Sequence, residues 1–152
     1  MDLLTEVRRL DRRITEATTT LSAAVAAPGT TPTDPHGIGD VVAAKILAGA
    51  GAVSRFRSEA AFASYCEVAP IEVSSGDVQR HRLSRAGDRQ MNYALHVMAM
   101  AKRATPGRDY YQRKRATGKT HKEATRCLKR RLADVVYRTM IRDTETSLLP
   151  TS

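Results

Sequence analysis

Tryptophan is absent, cysteine occurs twice, and aromatic residues make up only 5% of the chain. With 41% hydrophobic residues, 152 positions can bury a real core, and the poverty of rings points to a helical one rich in Ala and Leu. The two cysteines, Cys66 and Cys127, are far apart and fit no metal-ligand spacing, so they read as small buried apolar side chains in a reducing cytoplasm. His36, His81, His96 and His121 share no ligand spacing either, which excludes a zinc site and leaves no metal to assign. No run of about 18 apolar residues occurs, so no membrane span is implied. The opening MDLLTEVRRL is amphipathic and carries acids early, unlike a secretion signal.

Acidic residues are scarce in the second half, and that shortage is the informative one. Residues 79–142 hold 18 Lys/Arg against 4 Asp/Glu, a net of +14, whereas residues 1–78 hold 7 against 10, a net of −3. An even spread would say little beyond solubility. This asymmetry points to a polyanion, nucleic acid first, because Lys and Arg release counterions condensed on phosphates. A set of solvated basic helix faces is the plainer reading.

Hydrophobic periodicity predicts an all-α fold: a helical bundle with an N-terminal coiled-coil helix, a helix-hairpin-helix-like turn, and one irregular central loop or short hairpin. Leu3, Val7, Leu10, Ile14, Ala17 and Leu21 recur at spacings of 4, 3, 4, 3 and 4, an a/d seam. Residues 1–27 are therefore a coiled-coil helix whose seam, over 2–26, packs on its own domain or on a second copy, making a homo-oligomer. The prolines of 28–36 mark a linker. Residues 37–143 form the main domain and 144–152 a frayed tail.

Within the main domain, Gly37 and Gly39 bracket Ile38, Asp40 is placed to cap, and Val42, Ile46 and Leu47 form the buried side of a helix that Gly49 and Gly51 stop. Gly-apolar-Gly before a helix resembles the hairpin of helix-hairpin-helix motifs, where backbone N–H groups approach a phosphate; any tight turn uses the same residues. Ser58 is placed to cap a helix over 58–67 that carries Phe62 and Tyr65 inward and ends at Pro70. Asp88 caps another over 88–104, with Met91, Leu95 and Met98 on one face. Pro106-Gly107 breaks the chain before a basic helix opening at Asp109. The last helix, 119–142, buries Ala124, Leu128, Leu132, Val135 and Thr139 and turns Lys122, Arg126, Lys129, Arg130 and Arg138 to solvent or phosphate. Tyr110 and Tyr111 divide between core and surface or stack on bases.

Between the second and third of these helices lies VSSGDVQRHRLSRAGDRQ, where a Ser-Ser-Gly turn runs into Arg80, His81, Arg82, Arg85 and Arg89. Residues 78–83 either pair as a short hairpin or stay a loop. An exposed serine among cations that can hold a scissile phosphate is a candidate nucleophile, though a serine needs a base, a metal or strong stabilisation of the leaving charge. Most such turns are only turns.

The order of these elements closely resembles one family. HGIGDVVAAKILAGAG, VSRFRSEAAFASYCEVAP, IEVSSGDVQRHRLSRAGDRQMNYAL and YYQRKRATGKTHKEATRCLKRRLADVVYR are similar to the C-terminal domain of the IS-one-ten, IS-one-sixteen and IS-nine-oh-two insertion-sequence transposases. The resemblance covers about residues 28–142, and the helix before the linker matches the coiled coil those proteins place there. It implies DNA transposition through a serine that attacks DNA, together with a RuvC-like domain whose four acids hold Mg²⁺ and a guide RNA that selects the DNA. The matching serine is Ser75, followed by Gly76, with Ser74 the runner-up. The DNA contacts expected are Gly37, Gly39, Arg80, Arg82, Arg85, Arg89, Lys129 and Arg130. Met1 opens directly onto the coiled-coil helix, so Mg²⁺ is expected only through an acidic domain outside this chain, and the chain alone is expected to be inactive. The rival reading is a non-catalytic nucleic-acid-binding remnant, or a regulator that pairs with intact transposase through residues 2–26.

Overall fold

The computed structural model describes residues 3–25, 39–75, 78–83, 87–101 and 106–148. The linker 28–36, Gly37 and Arg85 lie outside the described residues. In chain order the elements are α1 (Leu3–Val25), α2 (Asp40–Ala50), a 3₁₀ turn (Val53–Arg55), α3 (Glu59–Tyr65), β1 (Pro70–Ser75), β2 (Val78–Leu83), α4 (Arg89–Met100), α5 (Pro106–Ala116) and α6 (His121–Ser147). The protein is a helical bundle, and its central segment is an antiparallel hairpin.

The core joins α2, α3, α4 and the second half of α6. Phe62, Ile46, Met91, Leu95 and Cys66 are fully buried, and Ala43, Ala63 and Ala94 let the helices approach closely. Phe56 meets Phe62 edge-on at 5.1 Å between ring centroids, and the Tyr137 hydroxyl of α6 donates to the Phe56 carbonyl at 3.1 Å. This small aromatic cluster, with Arg138 of α6 bonded to both oxygens of Glu59 (2.6 and 3.2 Å), ties the last helix to α3. Met91, Leu95 and Met98 all point inward, as their spacing predicts.

Several boundaries differ from the sequence reading for identifiable reasons. Gly39, not Asp40, occupies the N-cap of α2, and Asp40 is its first helical residue. Gly49 does not stop α2; it lies within it, where a Cβ would sit 2.7 Å from the Met91 sulfur, so its role is the close crossing of α2 and α4. Gly51 ends the helix at φ +59°. Pro70 does not end α3: Cys66 caps it and Glu67 turns the chain at φ +56°, while Val68 N–H reaches back to the Ala63 carbonyl and Glu67 N–H to that of Ser64. Pro106 opens α5 instead of breaking the chain, because its fixed φ suits a first turn whose N–H has no partner anyway. Finally α6 continues to Ser147, through part of the expected tail.

In α6 the buried positions move from one side to another. Ala124 and Leu128 are buried in the half that lies against α5, and from there the buried line is Lys129, Ala133, Val136 and Met140, facing the main core. Leu132 and Val135 are only half-buried as a result, while Thr139 is buried. Helix α1 packs on α2 yet leaves Leu3, Leu4, Val7, Leu10 and Ile14 exposed, Leu3 by 78% and Ile14 by 63%. The predicted seam is therefore uncovered along its first half. No described helix is long and apolar enough to cross a membrane.

Candidate nucleic-acid interface and reactive hairpin

The hairpin is described by its backbone. Strand register pairs Pro70 with Leu83, Ile71 with Arg82, Glu72 with His81, Val73 with Arg80, Ser74 with Gln79 and Ser75 with Val78. Both serines thus belong to strand β1, not to the turn that the sequence suggests for them. Positions two apart on a strand share a face. The register therefore assigns Ser75, Arg80 and Arg82 to one face, and Ser74, Glu72 and His81 to the other. In the first strand the β-branched Ile71 and Val73 stand two places apart, which suits pairing of this kind.

Both ends of the hairpin are tied down at one place. Before it, Val68 and Ala69 N–H groups donate to the Ala63 carbonyl (3.0 and 3.2 Å). After it, Gly87 N–H donates to Glu67 Oε1 at 3.3 Å and Asp88 N–H to the Tyr65 carbonyl at 2.7 Å. Asp88 then caps α4 by accepting from Gln90 and Met91 N–H, and its second oxygen lies 3.1 Å from the Tyr65 hydroxyl, which also reaches the Gly49 carbonyl at 2.9 Å. Gly87 is required here: a Cβ would stand 2.2 Å from the Tyr65 carbonyl oxygen. Arg55 closes the outer side, its guanidinium 4.5 Å from the Phe56 ring centre and 4.6 Å from that of Tyr65.

The basic surface lies on α5 and α6. Residues 106–131 carry ten Lys/Arg against two Asp/Glu. Tyr110 is the hub, with Lys114 Nζ at 5.3 Å, the Arg131 guanidinium at 5.3 Å and that of Arg113 at 6.0 Å from its ring centre. Tyr111 donates to, or accepts from, His121 Nδ1 at 2.7 Å and so braces the two helices. Gly118, at φ +86°, makes the turn between them, and Thr120 and Glu123 form a capping box that starts α6. The hydrogen bonds from Thr120, first its backbone N–H and then its hydroxyl, hold the Glu123 carboxyl below the usual carboxylate range.

The expected DNA contacts fall into separate places. Arg89 is exposed on the first turn of α4, beside the foot of the hairpin. Gly39 stands at the open N-terminus of α2, with nothing within 4 Å of where a Cβ would be. Arg130 is half-buried in an ion pair with Asp134. Lys129 is only 9% exposed, and its ammonium donates to Asn92 Oδ1 at 2.6 Å. Burial lowers the Lys129 pKa, with Arg126 acting in the same direction and Glu67 opposing. Cys66 is buried as expected and burial, aided by Asp88, pushes its thiol up to about 12; Cys127 is only half-buried. Among the described residues no three His, Cys, Asp or Glu side chains converge as a metal site.

Residues 33–112 match the model of the Transposase IS116/IS110/IS902 family. The chain belongs to that family. Over 110 residues it is 38% identical to the 43.6 kDa protein of insertion element IS110 from Streptomyces coelicolor, covering 70% of this chain and 27% of that protein. It is also 33% identical over 111 residues to the 44.8 kDa protein of insertion element IS116 from Streptomyces clavuligerus, with the same coverages, and 33% identical over 111 residues to the 42 kDa protein of insertion element IS900 from Mycobacterium paratuberculosis, covering 70% of this chain and 28% of that protein. The chain thus spans about a quarter of the length of the curated relatives it matches. The family segment takes in the serine hairpin and Arg89 and ends inside α5, leaving the cations of α6 beyond it.

Three features escaped the sequence reading. The contact of Lys129 with Asn92 had a signal, since Lys129 stands four, seven and eleven places before Ala133, Val136 and Met140 on one helix face. Of the three cations around Tyr110, Arg113 and Lys114 had a signal, standing three and four places after it on one helix, whereas Arg131 had none, because the packing of α5 on α6 brings it there. The left-handed Glu67 had none either, a glycine being the usual residue in that place.

Proposed function

We propose that this chain is the DNA-binding and strand-joining part of an insertion-sequence transposase, with Ser75 as the nucleophile in an enzyme completed by an acidic metal-binding domain. The observation that carries the reading is the strand register, in which Ser75 shares a face with Arg80 and Arg82 inside the segment that matches the family. In the reaction, the Ser75 oxygen bonds to a DNA phosphorus as the bond from that phosphorus to a sugar oxygen breaks. The serine proton leaves to a base, the released sugar oxygen takes up a proton, and the strand stays attached as a phosphoserine ester until a sugar hydroxyl displaces it. The guanidinium groups of Arg80 and Arg82 suit a phosphate whose charge grows in the transition state. No ligand set for Mg²⁺ exists among the described residues, so no step here runs through it.

DNA binding in this reading comes chiefly from Arg113, Lys114, Arg126 and Arg131 on the α5–α6 face, joined by Arg89. Cations gathered on an aromatic ring, and not on carboxylates, keep their charge for phosphates. The exposed first half of the α1 seam suits a second copy, so the working unit is a homo-oligomer. A guide RNA would meet the same basic face.

The test is Ser75→Ala beside Ser74→Ala in the completed enzyme, scored by trapping a protein–DNA adduct in denaturant. Loss of the adduct in Ser75→Ala alone, with DNA affinity within about twofold of the parent, is expected. An adduct that persists in Ser75→Ala and disappears in Ser74→Ala moves the role to Ser74; persistence in both leaves the chain a binding module or a regulator that pairs through α1.

A further inference from the structure

The hairpin that carries Ser75 has little to rest on. Among the described residues β1 and β2 pack chiefly on each other, and neither lies along a helix. Its placement must therefore be set at its root, where the chain leaves α3 and returns to α4.

At that root stands a half-buried polar side chain between three helices. Asn92, on the second turn of α4, donates from Nδ2 to two successive carbonyls, those of Cys66 at 3.3 Å and Glu67 at 3.1 Å. Its Oδ1 accepts from the Lys129 ammonium of α6 at 2.6 Å. Glu67, 9% exposed, holds the left-handed turn into the hairpin, and its carboxylate accepts from Gly87 N–H on the way out. A non-glycine residue in that conformation costs about 1 kcal/mol or more, so the surroundings must hold it there. Three helices thus meet on one amide side chain, and the two chain segments flanking the hairpin are joined through one carboxylate.

We propose that Glu67, Asn92 and Lys129 form a clamp that fixes the serine hairpin on the helical core, and that Lys129 is a positioning residue and not a phosphate contact. The charge of Lys129 is spent inward, on the amide that holds the Cys66–Glu67 turn. Lys129 is 9% exposed, so its ammonium meets an outside phosphate only if the side chain leaves that enclosure. The clamp stands on its own geometry; its bearing on strand joining rests on the reading of Ser75 given above.

Amide hydrogen exchange on the 152-residue chain tests the clamp directly. Lys129→Met removes only the ammonium, and Asn92→Asp keeps an acceptor for Lys129 while removing the donor to the two carbonyls. Both are expected to speed exchange at Val68, Ala69, Gly87 and Asp88 roughly ten- to hundredfold, the scale of a lost buried hydrogen bond. Amides in the middle of α2 and α6 should stay within about twofold, and Lys129→Arg should restore part of the protection. A second readout separates positioning from phosphate contact: the slope of log affinity for duplex DNA against log salt. Lys129→Met should leave it unchanged, whereas Arg131→Ala should reduce it by about 0.9. In the completed enzyme, Lys129→Met should slow adduct formation at least about tenfold at unchanged DNA affinity.

Unchanged exchange at the root in both variants, or a Lys129→Met salt slope reduced like that of Arg131→Ala, overturns the clamp. A Ser75→Ala enzyme that still forms its adduct overturns the nucleophile instead, and the exchange result then still decides the clamp.

Discussion

Gly87→Ala is the substitution for which the structure gives the sharpest number. The added methyl would sit 2.2 Å from the Tyr65 carbonyl oxygen, 2.9 Å from its carbon and 2.8 Å from Glu67 Cγ. Two of those three atoms are backbone at the end of α3, held by their own hydrogen bonds, so relief requires the hairpin root to move away. That movement breaks the Asp88 N–H bond to Tyr65 and the Gly87 N–H bond to Glu67. Overpacking costs about 1–3 kcal/mol, and each lost bond about 1 kcal/mol more, giving a loss of about 3–5 kcal/mol. For a protein of this size that is a fall in Tm on the order of 10 °C.

Two other glycines serve as controls for the same chemical change. At Gly118 a Cβ meets nothing within 4 Å, but φ is +86°, so alanine costs only the left-handed strain of about 1–2 kcal/mol. At Gly39, with φ −86° and open space, alanine should be within about 1 kcal/mol of the parent. Urea unfolding followed by circular dichroism ranks the three variants. If Gly87→Ala unfolds within about 1 kcal/mol of the parent, or is no worse than Gly118→Ala, the close approach of residue 87 to α3 is wrong.

Two further outcomes follow from the same geometry. The Lys129 side chain, followed by the ¹³C shift of its Cε, should titrate below an ordinary lysine. Because its folded pKa is lowered, the unfolded chain binds more protons between the two values, and stability should rise with pH across that interval. A titration at or above the ordinary value would mean the ammonium is in water. Thr120→Ala removes the N-cap of α6 and half of its capping box, and should cost about 1 kcal/mol in urea unfolding; no measurable loss would show that α6 does not depend on that start.

Much of the helical framework was legible in the residues. Ser58 and Asp88 accept from the N–H groups expected of caps, and the Met91, Leu95 and Met98 face is buried, because such signals act within one turn of chain. Features that need a second element were harder to read. Lys129 looks like one more cation of a basic helix until α4 supplies Asn92 to receive it. Gly49 looks like a helix stop until Met91 packs against it. Pro106 illustrates a different ambiguity, since the same fixed φ that breaks a helix interior opens a helix at its first turn. At the candidate site, a Ser-Ser-Gly run suggests a turn by local propensity, whereas pairing across to Gln79 and Val78 draws both serines into a strand. Residue order nominated Ser75 over Ser74 by the glycine that follows it; the register adds that the two serines belong to opposite faces of the strand.

The ring of Tyr110 attracts three cations without neutralising any of them. In the free protein these charges, with their neighbours on α5 and α6, repel one another, and a ring's quadrupole offsets this only in part. Added salt screens that repulsion over about 10 Å at 0.1 M, so moderate ionic strength should make the unbound helical pair more stable. In the proposed role the same salt would loosen its hold on phosphates. A polyanion and dissolved ions would thus relieve one and the same stress, and a helix pair that gripped phosphates best in dilute buffer would also be the one most eased by letting go into salt.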